Sequence, residues 1–301
     1  MIPLFDCHCD TISRVMTEGG SLRKNSFHTD LERLRKFTPC AQVFAVCAET
    51  LDRPVEKARA MLRRLNREIE KNSDIVILCL NFHDIKKASE LGKVAALISV
   101  EGCEQISSLE SAYQDGVRVL HPTWNFDNEL CGAAAGSGKG LTEKGRAFVK
   151  KAQCMGFILD MSHISERGFW DTLEVCEKPV IAGHSNAKAL CNVPRNLTDE
   201  QFNALVTVGG GAGINLYPEF LGLGKDINAV IAHIEHFLSL DGERSVFLGC
   251  DFDGIGSTPM GICGVQELDM LYNELLKRNY PETLVRALFW DNLYDIMEKI
   301  L

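Results

Sequence analysis

Short apolar, β-branched runs alternate with longer amphipathic stretches from one end of the chain to the other. This alternation predicts repeated β-α units around a parallel sheet. A further apolar run at residues 74–80 predicts an extra short strand or an inserted edge strand. The eight main strands are predicted at residues 2–8, 41–48, 94–100, 117–124, 157–163, 180–184, 213–216 and 246–250.

The stretches between the strands predict helices at residues 53–71, 142–155, 165–176, 198–206, 228–240, 267–277 and 282–301. Thr198 and Gln201 have the spacing of a capping box, which predicts a helix start. Eight strands alternating with helices, without a Pro/Gly/Ser linker, predict an α/β fold. We expect a single (β/α)₈ TIM-type barrel domain over residues 1–301. In such barrels the reacting groups lie at the carboxyl ends of the strands.

Composition and charge narrow the classes of partner. Hydrophobic residues make up 46% of the chain, which is typical of a folded protein. The net charge of −9 disfavours nucleic acid and anionic membrane surfaces. The twelve cysteines lie singly on apolar segments, without a Cys-x-x-Cys pair, which indicates buried thiols. With neither a signal-like start nor a long apolar run, we expect a cytoplasmic protein.

The first strand ends in alternating acidic and thiol side chains around a histidine. The two-residue period of a strand predicts Asp6, His8 and Asp10 on one face, with Cys7 and Cys9 on the other. An imidazole and a carboxylate two residues apart can hold one divalent cation. The same motif is also typical of a surface turn.

Four other strands end in polar side chains of the same kinds. Glu101 follows an apolar run, and His163 and His184 end consecutive strands. Asp251 and Asp253 follow the last strand, and its two-residue period predicts them on one face. Taken alone, each histidine is also compatible with a hydrogen-bonded core position, and Asp253-Gly254 is compatible with a turn. Five of eight strands ending in potential ligands on one rim favour a metal site.

Six motifs have a specific family pattern. They are His8-x-Asp10, Glu101 in Val-Glu-Gly, His163 in Asp-Met-Ser-His, His184 in Gly-His-Ser, Arg195 in Pro-Arg-Asn and Asp251 in Asp-Phe-Asp-Gly. In their order, and in the gaps of 21 residues between the histidines and 11 residues from His184 to Arg195, they fit one family. The chain resembles the membrane dipeptidase (renal dipeptidase) family of amidohydrolase-type metallopeptidases over nearly its whole length.

The resemblance implies two Zn²⁺ ions per chain and a bridging hydroxide that attacks the peptide carbonyl. His8 and Asp10 would bind one ion, and His163 and His184 the other. Glu101 would bridge both ions and so take part in catalysis. On the same pattern Asp251 takes the proton from the hydroxide and returns it to the leaving amine.

The resemblance also assigns the substrate pocket. It places Arg195 on the C-terminal carboxylate, a task that suits a planar guanidinium, and Tyr217 on the pocket wall. Family members carry a histidine after the fourth strand that stabilises the oxyanion, but the alignment gives Trp124 at that place. Either a neighbouring group such as Asn125 substitutes, or the metals alone stabilise the oxyanion. By strand alternation His121 is expected on the opposite side from Trp124.

These observations predict a zinc-dependent dipeptidase, and the resemblance implies tolerance of a C-terminal D-residue. Small dipeptides are the expected partners. The family also tends to dimerise, and Phe289, Trp290 and Tyr294 have the helical spacing of a core or of a subunit interface. One alternative is a binuclear hydrolase of another amide, lactam or ester. Another is a non-catalytic binding barrel, which the Trp124 replacement makes conceivable.

Overall fold

One parallel sheet forms the centre of the computed structural model, which describes residues 1–222 and 224–301. Its eight-strand path runs in the order β6-β5-β4-β2-β1-β9-β8-β7, and β3 pairs beside it with the first half of β4. The strands are Leu4–Cys9 (β1), Cys40–Val46 (β2), Val76–Leu78 (β3), Val94–Glu101 (β4), Val117–His121 (β5), Ile158–Leu159 (β6), Ile181–Ala182 (β7), Gly211–Ile214 (β8) and Val246–Leu248 (β9). All eight main strands are confirmed, and the 74–80 run contains the extra short strand.

The barrel closes between β6 and β7, through a bridge between Asp160 and Ile181 and a 2.7 Å bond from the Met161 amide to the Ile181 carbonyl. Both strands are shorter than predicted. The Asp160 carboxylate accepts bonds from the amides of Ser162 and Gly183, which are therefore not paired in the ladder. The (β/α)₈ TIM-type fold is confirmed.

Helices surround the sheet and cover its outer face with a large apolar cluster. The predicted capping box is present, since Thr198 and Gln201 bond each other's backbone amides at the start of α8. The helices are Thr11–Glu18 (α1), Leu31–Leu34 (α2), Pro54–Lys71 (α3), Phe82–Glu90 (α4), Leu109–Gln114 (α5), Glu143–Cys154 (α6), Glu166–Val175 (α7), Asp199–Thr207 (α8), Pro218–Leu221 (α9), Ile227–Leu238 (α10), Leu268–Lys277 (α11), Glu282–Arg286 (α12) and Asn292–Ile300 (α13).

A bulge in β1 changes which of its side chains face the barrel interior. The register between β1 and β2 shifts by one residue between Asp6 and Cys9. Cys7 therefore packs in the interior cluster, whereas Cys9 packs in the outer cluster. Asp6 accepts a 2.8 Å bond from the Cys250 amide. The prediction that Asp6 shares the face of His8, with Cys7 opposite, was wrong because strict alternation does not continue through a bulge.

The aromatic residues near the C-terminus belong to the core. Phe289 and Trp290 are buried, and the ring of Trp290 lies 5.4 Å from that of Phe5 in the interior. Tyr294 stacks on Trp290 at 5.4 Å. These contacts support the core interpretation of the helical spacing, and dimer formation stays a prediction. Within the described ranges, no helix combines the length and apolar character needed to cross a membrane.

Candidate metal centre

The five predicted ligands converge at the carboxyl end of the barrel, and all are buried. The Glu101 Oε1 atom lies 2.8 Å from His163 Nε2, 3.3 Å from His184 Nε2 and 3.7 Å from His8 Nε2. Asp10 Oδ2 lies 3.2 Å from His8 Nε2. Glu101 therefore occupies the position between the two histidine groups that a bridging carboxylate requires.

Two features of this cluster fit divalent cations. Asp10 Oδ1 is buried and has no hydrogen-bond partner in the described part of the chain, and a cation bound there would satisfy it. The Nε2 atoms of His163 and His184 lie only 3.0 Å apart. Two imidazole nitrogens so close, beside a shared carboxylate oxygen, are typical donors to a metal.

The electrostatics of the cluster support the same conclusion. Burial lowers the pKa of His163 to about 4 and that of His184 well below its usual value, so both rings are neutral. Burial also disfavours charge on His8, but Glu101 and Asp10 outweigh this effect and raise its pKa to about 10. His163 and His184 are thus in the neutral form that binds a metal ion.

Asp160 fixes the two segments that present His163 and His184. Its Oδ1 accepts from the Ser162 amide at 3.0 Å, the Ser162 hydroxyl at 2.6 Å and the Gly183 amide at 2.9 Å. Ser162 Oγ in turn accepts from the His184 amide at 3.0 Å. This positioning role was not predicted, although a carboxylate ending an apolar strand was visible in Asp-Met-Ser-His.

Asp251 lies beside the ligands and has its own support. Its Oδ2 accepts a 2.9 Å bond from Asn215 Nδ2, and its Oδ1 lies 3.9 Å from His8 Nε2. Burial raises the pKa of Asp251 to about 7, and Asp10 and Glu101 add to that shift. Asn215 was missed, although an amide directly after the apolar strand β8 was a readable signal.

Asp253 has a structural role outside the metal cluster. Its carboxylate accepts bonds from the Thr11 hydroxyl at 2.6 Å and the His28 amide at 2.7 Å. Both Asp251 and Asp253 have positive φ angles, 60° and 70°, so the chain does not continue as a strand here. The expectation that they share one face was wrong for that reason.

A cavity of about 230 Å³ opens onto the ligands. The predicted residues Asn125, Arg195, Tyr217 and Asp251 line it together with Asp10, Glu101 and His163. Sequence reasoning missed several other lining residues, because all of them except Phe220, in the short helix α9, lie in loops whose course no period predicts. These are Cys47, Glu49, Phe220, Gly254, Ile255 and Gly256.

Arg195 presents a free guanidinium edge inside the protein. It is only 8% exposed, its Nη2 lies 2.9 Å from His163 Nε2, and its Nη1 is buried without a partner among the residues described. Asn125 Oδ1 accepts a 3.1 Å bond from His163 Nδ1, which leaves the lone pair of His163 Nε2 directed into the cluster. The Tyr217 ring packs edge-on against Phe220 at 4.9 Å.

Trp124 lines the cavity, as its alignment with the family histidine predicts. The expectation for His121 was wrong. Its ring lies 5.3 Å from that of His8 and 5.6 Å from that of His184, inside the barrel. The strand β5 ends at His121, so alternation does not extend to Trp124.

A protein-family model described as membrane dipeptidase, peptidase family M19, matches residues 1–300. A Klebsiella pneumoniae relative, described as an uncharacterized protein in the pqqA 5′ region, is 31% identical over 264 residues, covering 82% of this chain and 97% of the relative. A metallo peptidase from Rhodobacter sphaeroides, liganded with a phosphinate mimic of the dipeptide L-Ala-D-Ala, is 26% identical with a TM-score of 0.89, covering 100% of this chain and 99% of that chain. A dipeptidase of metallopeptidase family M19 is 27% identical with a TM-score of 0.87, covering 99% and 98%.

Proposed function

We propose that this chain, which belongs to the membrane dipeptidase family (peptidase family M19), hydrolyses dipeptides and accepts a D-residue at the C-terminal position. One observation carries this proposal: three buried imidazoles converge on the Glu101 carboxylate inside a cavity that also contains a buried, unpartnered guanidinium nitrogen. The Rhodobacter sphaeroides neighbour, bound to a mimic of L-Ala-D-Ala, supports the substrate class. The catalytic domain is proposed to comprise residues 1–301.

The proposed cofactor is a pair of Zn²⁺ ions. His8 and Asp10 would hold one, His163 and His184 the other, and Glu101 would contact both. Zinc suits a site of three imidazoles and two carboxylates. When bound, two such ions would polarise the scissile carbonyl and lower the pKa of water between them.

The other residues of the cavity bind the substrate and move the proton. Arg195 Nη1 is proposed to bind the C-terminal carboxylate, with Tyr217 forming the adjoining wall. With Asn125 Oδ1 occupied by His163, its Nδ2 remains free to donate to the substrate carbonyl oxygen. Asp251 takes a proton on its carboxylate and delivers it to the leaving amine, a task suited to a group with a pKa near 7.

A second candidate is hydrolysis of another amide, a lactam or an ester. The observation that favours it is Trp124, which lines the cavity where the family carries an oxyanion-stabilising histidine. Loss of one such donor costs about 2.7 to 4 kcal/mol of transition-state stabilisation where nothing replaces it. A substrate with a more reactive carbonyl depends less on that donor.

The experiment is a hydrolysis panel of L,L and L,D dipeptides, N-acyl amino acids, lactams and esters, before and after chelation and zinc restoration. Dipeptide cleavage that is lost on chelation and returns with zinc is expected, with two zinc ions per chain by elemental analysis. Cleavage of only the other amides or esters would establish the second candidate. Less than about one zinc per chain after loading, with no turnover, would favour the non-catalytic barrel.

A cytoplasmic location is proposed on the state of the cysteines. All twelve are free, and eight of them are buried, as is typical of inert core thiols. Free thiols in this number suit a reducing compartment. Cell fractionation with an antibody to the protein tests this proposal.

A further inference from the structure

Glu49 lines the cavity and has no role in the assignments above. It lies three residues beyond the end of β2, in the loop that leads to α3. Its backbone has a φ of 50°, the left-handed region that a glutamate rarely adopts. The same cavity contains the metal ligand Asp10 and the buried Arg195.

Within residues 1–222 and 224–301, the Glu49 carboxylate has no cationic partner. In the described ranges, no lysine, arginine or histidine nitrogen lies within 4.0 Å of it. The basic side chains of the adjoining cavity, Arg14 and Lys57, pair instead with Glu18 and Asp52. Partial burial raises the pKa of Glu49, and Glu101 raises it further, so a cation beside it would be stabilised.

The barrel places Glu49 across the cavity from Arg195. In the closed order β6-β5-β4-β2-β1-β9-β8-β7, strands β2 and β7 are four positions apart in a ring of eight and therefore face each other. Glu49 follows β2 and Arg195 follows β7. One side of the cavity thus has an unpartnered carboxylate, and the other has a buried guanidinium nitrogen without a partner.

A dipeptide in neutral solution has the matching pair of charges, an ammonium at one end and a carboxylate at the other. The other carboxylates of the cavity contact different groups of the protein, since Asp10 and Glu101 face His8 and Asp251 accepts from Asn215. We infer that Glu49 binds the α-ammonium group of the substrate's N-terminal residue and so selects substrates with a free N-terminus. This inference rests on the proposed dipeptidase function.

The test compares alanyl-alanine with propionyl-alanine, which lacks only the amino group. In the zinc-loaded enzyme, Glu49→Gln is expected to lower kcat/KM for alanyl-alanine by about tenfold, mainly through KM, because a charge-assisted bond is lost. For propionyl-alanine the change is expected to stay below about twofold. The control Glu56→Gln makes the same charge change in α3, outside the cavity, and is expected to alter neither.

Three outcomes would overturn the inference. Equal losses on both substrates would indicate that Glu49 acts through the metal site, and zinc content and melting temperature of the variant would locate that effect. An unchanged kcat/KM for alanyl-alanine would show that Glu49 does not bind the ammonium group. In both cases the wild-type enzyme still cleaves dipeptides, whereas a wild-type enzyme that cleaves none would reject the proposed function and this inference together.

Discussion

Removal of the Arg195 guanidinium is the most direct test of substrate orientation. Arg195→Ala deletes the buried Nη1 that has no partner in the described chain, and the Nη2 that lies 2.9 Å from His163 Nε2. If Nη1 binds the C-terminal carboxylate, the variant should bind free dipeptides more weakly. It should lose little on dipeptides whose C-terminus is amidated.

The size of the effect follows from burial. Arg195 is 8% exposed, so its bond to a carboxylate would be little screened by water. Hydrogen bonds to charged groups contribute about 1.5 to 3 kcal/mol. That energy corresponds to a loss of roughly 10- to 150-fold in kcat/KM, expressed mainly as a higher KM.

The assay measures kcat and KM for alanyl-alanine and its C-terminal amide, with zinc content determined on the same samples. Arg14→Ala serves as the matched control, because Arg14 is a partly exposed arginine that pairs with Glu18 outside this cavity. Added guanidinium should partly restore KM for the free dipeptide by filling the vacated space.

Equal losses on the free and amidated substrates would refute the carboxylate role. If zinc content fell at the same time, the contact with His163 would be the function of Arg195 instead. A KM for the free dipeptide that stays at the wild-type value would contradict the reasoning from the unpartnered Nη1.

Other predictions concern catalysis and stability. Asp251→Asn should lower kcat by about 10²- to 10⁴-fold at unchanged zinc content, and an active variant would reject the proton-transfer role. Thr198→Ala should lower the free energy of unfolding by about 1 kcal/mol in urea titrations, while Thr198→Ser should restore it; equal losses would rule out the cap as the cause. His233 accepts from the Ala187 amide and its pKa is lowered to about 4 by burial, so its contribution to stability is full above pH 6.5 and is lost as the pH falls towards 4. Between pH 7 and pH 5 the resulting loss of unfolding free energy is about 2 kcal/mol. The unfolding free energy of His233→Gln should therefore depend less on pH, and parallel curves for the variant and the wild type would contradict the lowered pKa.

The convergence of His8, Asp10, Glu101, His163 and His184 was predictable because two simple regularities act together. Apolar runs locate the strands. In parallel barrels the reacting groups lie at the carboxyl ends of the strands, so the residue that ends each strand is informative. Glu101 illustrates this, since it is the last residue of β4 and lies at the centre of the cluster. Arg195 lies in a loop and not at the end of a strand, so only the family resemblance identified it in the sequence.

The failures have local backbone causes. The β1 bulge reversed the expected faces of Asp6 and Cys7, and no residue in that stretch marks a bulge in the sequence. His121 was misplaced because β5 ends at that residue. Glu49 was missed because a left-handed residue in a loop brings it to the cavity, and loop geometry has no sequence period to read.

The barrel closes at its thinnest joint, where the two-residue strands β6 and β7 meet through a single bridge. The imidazoles of His163 and His184 project just beyond this joint, with their Nε2 atoms 3.0 Å apart. An ion bound by both histidines would connect the segments that follow β6 and β7. Ion binding would therefore stabilise this side of the barrel, and an ion that binds more tightly would stabilise it more. Without bound ions, local opening should occur first between β6 and β7, and the amide hydrogens of Met161 and Gly183 should exchange with solvent faster than in the ion-bound protein.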